Sequence, residues 1–294
     1  MEDDLPQKKR GILEHRPLMV FLWAVLPIIA VFGVTIMRPS PSSLELIGNQ
    51  SILELGLTQI VSVIIMLILP AILITYVYKR YVFEFLKLLN PPKLSHIALG
   101  ALIILSANFF LNYLMELNNI IPLPDGLKVK FQGLQELTSE AQAFFLKFSG
   151  LSEFLIVFLT LAIFPAIAEE IYFRGLLIGV LNDMKIGAFH AIFISSILFA
   201  MMHFQFYYIL PLLFMGGILG YVYYRTKNLW VSIFMHLLNN GLIVLLTLSN
   251  QNKLTQVDLE ANPPLYISAI GIIVFIISVY YFHQLTKSNK LKKV

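Results

Sequence analysis

The 294-residue sequence contains no cysteine. It therefore has no disulfide, no thiolate nucleophile, no Cys-ligated metal and no thioester carrier. Charge is scarce too, with Asp, Glu, Lys and Arg at 13% of the chain against 58% hydrophobic residues. With a mean hydropathy of +0.79, that balance describes a polytopic membrane protein rather than a soluble domain. The net charge of +4 does not point to nucleic acid, because the basic residues sit at the ends of apolar runs. Anionic lipid is their natural partner there. Aspartate is missing from every apolar run, occurring only as Asp3, Asp4, Asp125, Asp183 and Asp258. Neither HExxH nor GxSxG occurs, so zinc-helix, aspartyl-dyad and serine-elbow hydrolases are excluded on residues.

What the chain has instead is long apolar runs. They fall at about Pro17–Met37, Leu57–Tyr78, His96–Met115, Leu151–Leu181, Gly187–His203, Phe206–Tyr224, Leu229–Leu248 and Leu265–Phe282. None alternates as a membrane β-strand does, and each is long enough to suggest a span. The expected fold is all-α, with about eight transmembrane helices around a polar cavity. The first run is too long for a signal-peptide core and lacks a small-residue cleavage site, so it reads as a retained span. The chain divides into a cytoplasmic tail (1–16), a three-span region with an outer loop (17–149), a core (150–248), and a last span with a basic tail (249–294). Within the outer loop, Leu134–Phe148 is partly amphipathic, compatible with a surface helix or a plain loop. With the N-terminus cytoplasmic, sixteen of the 21 Lys and Arg fall on the inner side and five on the outer. That bias puts both termini in the cytoplasm of a multi-pass cell-membrane protein.

The costly residues lie in the fourth run. Glu169, Glu170 and Arg174 are the only charges between Glu153 and Asp183, and each costs roughly 2.5–3.5 kcal/mol at the centre of a membrane helix. On an α-helix Glu170 and Arg174 stack at i, i+4 and form an ion pair, while Glu169 is turned about 100° away. His203 follows Phe199 by four residues on the fifth run, and Asn240 follows His236 by four on the seventh. Singly, each has an ordinary reading: an ion pair, a helix-bridging histidine, an interhelical amide. Gly175, Gly179, Gly216 and Gly220 read as sites of close helix packing, and Ser195 and Ser196 as packing hydroxyls. Together, Glu169, His203, His236 and Asn240 come from three runs with no other buried ionisable partners. A shared polar cavity is the economical arrangement.

These three boxes, Glu169-Glu170-Ile171-Tyr172-Phe173-Arg174, Phe199 to His203, and His236 to Asn240, resemble in order the EExxxR, FxxxH and HxxxN motifs of the CAAX-protease and bacteriocin-processing family of intramembrane proteases. The resemblance covers about residues 150–245. It implies an endopeptidase in which Glu169 and His203 activate a water and His236 with Asn240 stabilise the oxyanion. The substrate class it implies is a membrane-associated protein or peptide. Elementary chemistry agrees: an unpaired glutamate in a low-dielectric site can take and return a proton, and amide donors suit an oxyanion. The family is also described as metal-dependent, and Glu169, His203 and His236 are the residues that zinc would use here. Because asparagine is a poor zinc ligand, catalysis without a cofactor is favoured and zinc is the alternative. Two further readings are a non-catalytic protein of the same fold acting in peptide binding or bacteriocin immunity, and a proton-coupled transporter. One geometric tension remains. Straight helices put His236 about 10 Å from its helix start and His203 about 24 Å, so a tilt, a short hairpin or a break at Pro165 must bring them together.

Overall fold

In the computed structural model, residues 15–37, 50–249 and 263–291 are described, and these residues form helices joined by turns, with no strand among them. The basic N-terminal tail up to residue 14 and the connection at 250–262 lie outside the described residues. The helices are α1 (Pro17–Met37), α2 (Ile52–Lys79), α3 (Leu94–Asn119), α4 (Asp125–Phe145), α5 (Gly150–Asp183), α6 (Ala188–Met202), α7 (Ile209–Thr226), α8 (Leu229–Ser249) and α9 (Leu265–Leu291). Among the described residues, seven helical stretches are long and apolar enough to cross a membrane, and α6, at 15 residues, is shorter. The protein is an all-α polytopic membrane protein.

Local sequence explains the ends and irregularities. Ser51 opens α2 with a capping box: its hydroxyl accepts from the Glu54 N–H while the Glu54 carboxylate accepts from the Ser51 N–H. Pro70 and Pro165 each remove a backbone donor, and each is directly preceded by a π-helical stretch, Ile64–Ile68 and Leu159–Ile163. Helix α5 therefore widens at Pro165 and does not break. In α1, Pro27 also removes a donor. The neighbouring turn accepts a bond from outside, from the Tyr172 hydroxyl to the Ala24 carbonyl at 2.5 Å.

The main core gathers α1, α2, α5, α6 and α8 around the buried stretch Leu176–Leu181, and a second cluster joins α3, α7, α8 and α9 through Ile103, Leu219, Met235 and Phe282. Close approach rests on glycine, as expected. A Cβ at Gly175 would lie 2.9 Å from Leu86, one at Gly179 2.8 Å from Phe85, and one at Gly216 3.0 Å from Ser196. The outward faces stay apolar; on α9, Ile270, Ile273, Ile276 and Tyr280 are all exposed, which suits lipid contact. Between the third and fourth runs the segment is helical rather than a plain loop, and α4 begins at Asp125, well before Leu134. It buries Phe131 and Leu134, with Phe131 stacked on Phe206 at 5.1 Å.

Candidate active site

The site is built on α5, where the backbone changes character at the first carboxylate. Glu169 ends an α-helical segment, and Glu170–Ile178 is π-helical, a wider winding found frequently at functional sites. The expectation that the two glutamates diverge is corrected here. Both reach His236 on α8, from opposite edges of its ring: Glu170 Oε1 lies 2.9 Å from Nδ1 and Glu169 Oε2 3.7 Å from Nε2. Adjacent residues on a widened helix thus bracket one imidazole. The expected Glu170–Arg174 pair is present at 2.6 Å, with both side chains buried. Arg174 also donates to the Gly216 carbonyl at 3.3 Å and packs on the face of Phe199, 4.5 Å from the ring centroid. Ser195 donates to the Phe173 carbonyl at 2.8 Å, tying α6 to the widened helix.

His203 stands at the end of a short helix. Helix α6 is about 22 Å long at 1.5 Å per residue, against a hydrocarbon core of about 30 Å. His203 is its C-terminal cap, and Phe204 (φ 55°) then turns the chain back toward α7. The turn needs partners for its backbone groups, and the buried Asn118 of α3 supplies them. Its amide donates to the Phe206 carbonyl and accepts from the Leu210 N–H, both at 2.9 Å. The ring of His203 folds back along α6, with Nδ1 2.8 Å from the Phe199 carbonyl and Nε2 3.8 Å from Glu169 Oε2. Phe199 stands between the parts, its ring centroid 4.6 Å from that of His203 and 6.0 Å from that of His236. The sequence identified Phe199 only as a motif position. Its role as the packing hub of the site became visible in three dimensions.

These contacts fix the tautomers. A carbonyl and a carboxylate only accept, so Nδ1 of His203 and Nδ1 of His236 both carry a proton, and a neutral ring at either position would present an acceptor Nε2 to Glu169. The expected oxyanion role of His236 therefore carries a condition: its Nε2 donates only when the ring is an imidazolium, and accepts when the ring is neutral. Three acceptors, two Nε2 and one carboxylate oxygen, then face one another, and Glu169 Oε2 and Glu170 Oε2 are both buried without a hydrogen-bond partner. Two carboxylates against one guanidinium also leave one negative charge uncompensated. A proton or a cation satisfies both deficits.

The donor chemistry fits zinc, since metal-ligating histidines characteristically give their other ring N–H to a carboxylate or carbonyl. The residues that would hold it are His203, His236 and Glu169. As they stand, no three or more His, Cys, Asp or Glu are gathered closely enough to bind an ion among the described residues. Asn240 lies one turn beyond His236, and its Oδ1 accepts from Asn239 Nδ2 at 3.3 Å. A cavity of about 370 Å³ lined by Lys79, Lys87, Asp183 and Lys227 contains none of these residues.

Comparison with known proteins falls on this same stretch. Residues 151–242 match the family described as Type II CAAX prenyl endopeptidase Rce1-like. That stretch holds Glu169, Glu170, Arg174, Phe199, His203, His236 and Asn240, so the similarity to this family falls on the candidate site. It is 39% identical over 82 residues to a Bacillus subtilis (strain 168) protein assigned provisionally as membrane peptidase YdiL, covering 28% of this chain and 33% of that one. It is 34% identical over 106 residues to the membrane-embedded CAAX protease MroQ of Staphylococcus aureus (strain USA300), covering 34% and 43%. It is 35% identical over 77 residues to the UPF0177 protein YxdF of Lactococcus lactis subsp. lactis (strain IL1403), covering 26% and 41%. The chain thus matches less than half the length of each of these relatives. No solved structure matches it.

Proposed function

We propose that the protein is an intramembrane endopeptidase that hydrolyses a peptide bond of a membrane-associated protein or peptide. The observation that carries this reading is the convergence of two imidazole Nε2 atoms on one carboxylate oxygen, at 3.7 and 3.8 Å, where Glu169 and His203 stay partly exposed. A water held among these acceptors donates to them and is thereby turned with a lone pair toward a substrate carbonyl. As its oxygen bonds to the carbonyl carbon, its proton passes to Glu169. The oxyanion accepts a hydrogen bond from the Asn240 amide N–H, and from His236 Nε2 when that nitrogen carries the one proton that balances the charge of the site. When the C–N bond breaks, the Glu169 proton goes to the leaving nitrogen. The hydroxyl proton left on the collapsing intermediate passes to the freed Glu169 carboxylate, so the products are a carboxylate and an amine.

Zinc is the second form of the same reading, supported by the tautomers, and at Glu169, His203 and His236 it would supply Lewis acidity to the bound water. The metal-free form is preferred because one proton balances the charge. The names of the relatives, one a CAAX protease, point to a substrate cut near the end of a membrane-tethered chain. The charge distribution supports cytoplasmic termini. Because the wild type has no thiol background, single cysteines at positions 85 and 135 should label from the cytoplasmic and outer sides respectively, and the reverse would invert the topology. The function itself is tested by incubating purified protein with lipidated and unlipidated membrane peptides and reading cleavage by mass. New termini absent from a Glu169→Gln control are expected. Equal cleavage by that variant would contradict the reading.

A further inference from the structure

A chain of three asparagines runs from α3 to the site. Asn108 Nδ2 lies 2.9 Å from the Ile104 carbonyl and 3.0 Å from Asn239 Oδ1, and Asn239 Nδ2 lies 3.3 Å from Asn240 Oδ1. Its polarity follows from its first member. The Ile104 carbonyl only accepts, so the Asn108 NH₂ group faces it, and that group's second hydrogen goes to Asn239. Asn239 therefore accepts with its oxygen and donates with its nitrogen, Asn240 accepts in turn, and what Asn240 has left is its own NH₂ group. We propose that Asn108 is a positioning residue, which acts through Asn239 to hold the Asn240 amide with its N–H donors toward the substrate oxyanion. The proposal rests on the peptidase reading above and assigns a role in the site to a residue outside the matched stretch 151–242.

An amide free to rotate would present oxygen to the oxyanion in part of the population, and oxygen repels it. A donor useful in catalysis must be set in advance, and a polarised chain anchored on a helix carbonyl does that. Simple adhesion is the competing role, since amides bridge membrane helices. Helices α3 and α8 already have that contact without the amides. Gly100 lets Met235 approach so closely that a Cβ would lie 2.8 Å from its sulfur, and Ile103, Ile104, Ala107, Val231 and Met235 share one buried cluster.

Two readouts on the full-length protein in detergent test the relay. With ¹⁵N-asparagine label, the Asn240 side-chain amide signal, identified by its loss in Asn240→Ala, should move in Asn108→Leu. An unmoved signal overturns the relay whether or not the protein cleaves anything. In the peptidase assay, Asn108→Leu should lower kcat about tenfold, the size of one ordinary hydrogen bond, with KM unchanged within about twofold. The same substitution placed in Asn240→Ala should cost nothing further, because the group it positions is gone. A tenfold loss that persists in that background marks a general structural effect and overturns the proposal, as does unchanged kcat in the single variant. Asn239→Leu breaks the same chain from α8 and should reproduce both readouts if Asn108→Leu does not fold. If wild type shows no peptidase activity, the reaction assignment fails, and the amide signal alone decides the relay.

Discussion

The two edges of the His236 ring show how one pocket divides its work. At the Nδ1 edge, Glu170 and Arg174 are buried and joined to each other, to His236, to the Gly216 carbonyl and to the face of Phe199. At the Nε2 edge, Glu169 and His203 are 16% and 25% exposed and approach at 3.8 Å, too far for a direct hydrogen bond. The closed edge is buried and paired within the protein except at Glu170 Oε2, which has no hydrogen-bond partner. The open edge holds acceptors that lack a partner until a water, proton or cation arrives. Polar groups at membrane depth are thus either paired within the protein or left facing a reactant, and the geometry of one imidazole separates the two classes.

The largest expected departure is at the closed edge. Arg174→Ala strands a buried carboxylate, at a cost of about 3–5 kcal/mol for a broken buried pair. Folded yield and unfolding temperature in detergent should both fall; a normal yield would show that Glu170 does not depend on its partner. At the reacting end, Asn240→Ala should lower kcat by about 10²–10³ through lost oxyanion stabilisation, with little change in KM. A change confined to KM would move Asn240 into substrate binding. Phe199→Leu removes the aromatic face from Arg174, worth roughly 0.5–2 kcal/mol. Because the same ring lies against His203 and His236, the variant should lose some stability and some activity together. Loss of only one would mean that Phe199 serves only one edge. The smallest expected effect is none: exhaustive chelation should leave activity intact, with negligible zinc by elemental analysis. Zinc near one equivalent, lost together with activity in His236→Ala, would replace the metal-free form by the zinc form.

Much of the architecture was legible in the sequence because apolar runs and terminal charges report directly on what lipid tolerates. Glu170–Arg174, Gly216 and Ser195 could be read from spacing and residue type. The bracketing of His236 could not, because an α-helical wheel separates Glu169 from Glu170 by about 100°, whereas the backbone there is π-helical. No local residue announces that winding; Pro165 marks the earlier stretch, Leu159–Ile163, and not the one that carries Glu170. The tautomers were hidden for another reason, since they depend on the Phe199 carbonyl and on a carboxylate from a different helix. The hairpin was open among three geometries, and the stop at His203 became definite with Phe204 in the left-handed region and Asn118 buried beneath it. Asn108 was passed over because one amide in an apolar run has no sequence signature of its target.

The contrast between the two edges is tested most directly by one paired measurement: folded yield and specific activity of Glu169→Gln and Glu170→Gln, prepared side by side with wild type. The account predicts that Glu169→Gln folds as wild type does and loses activity by about 10²–10⁴, the usual range for a general base. It predicts that Glu170→Gln loses folded protein, because it removes the charge that holds Arg174 and the Nδ1 proton of His236. An active Glu169→Gln, or a Glu170→Gln that folds fully while Glu169→Gln aggregates, would contradict it.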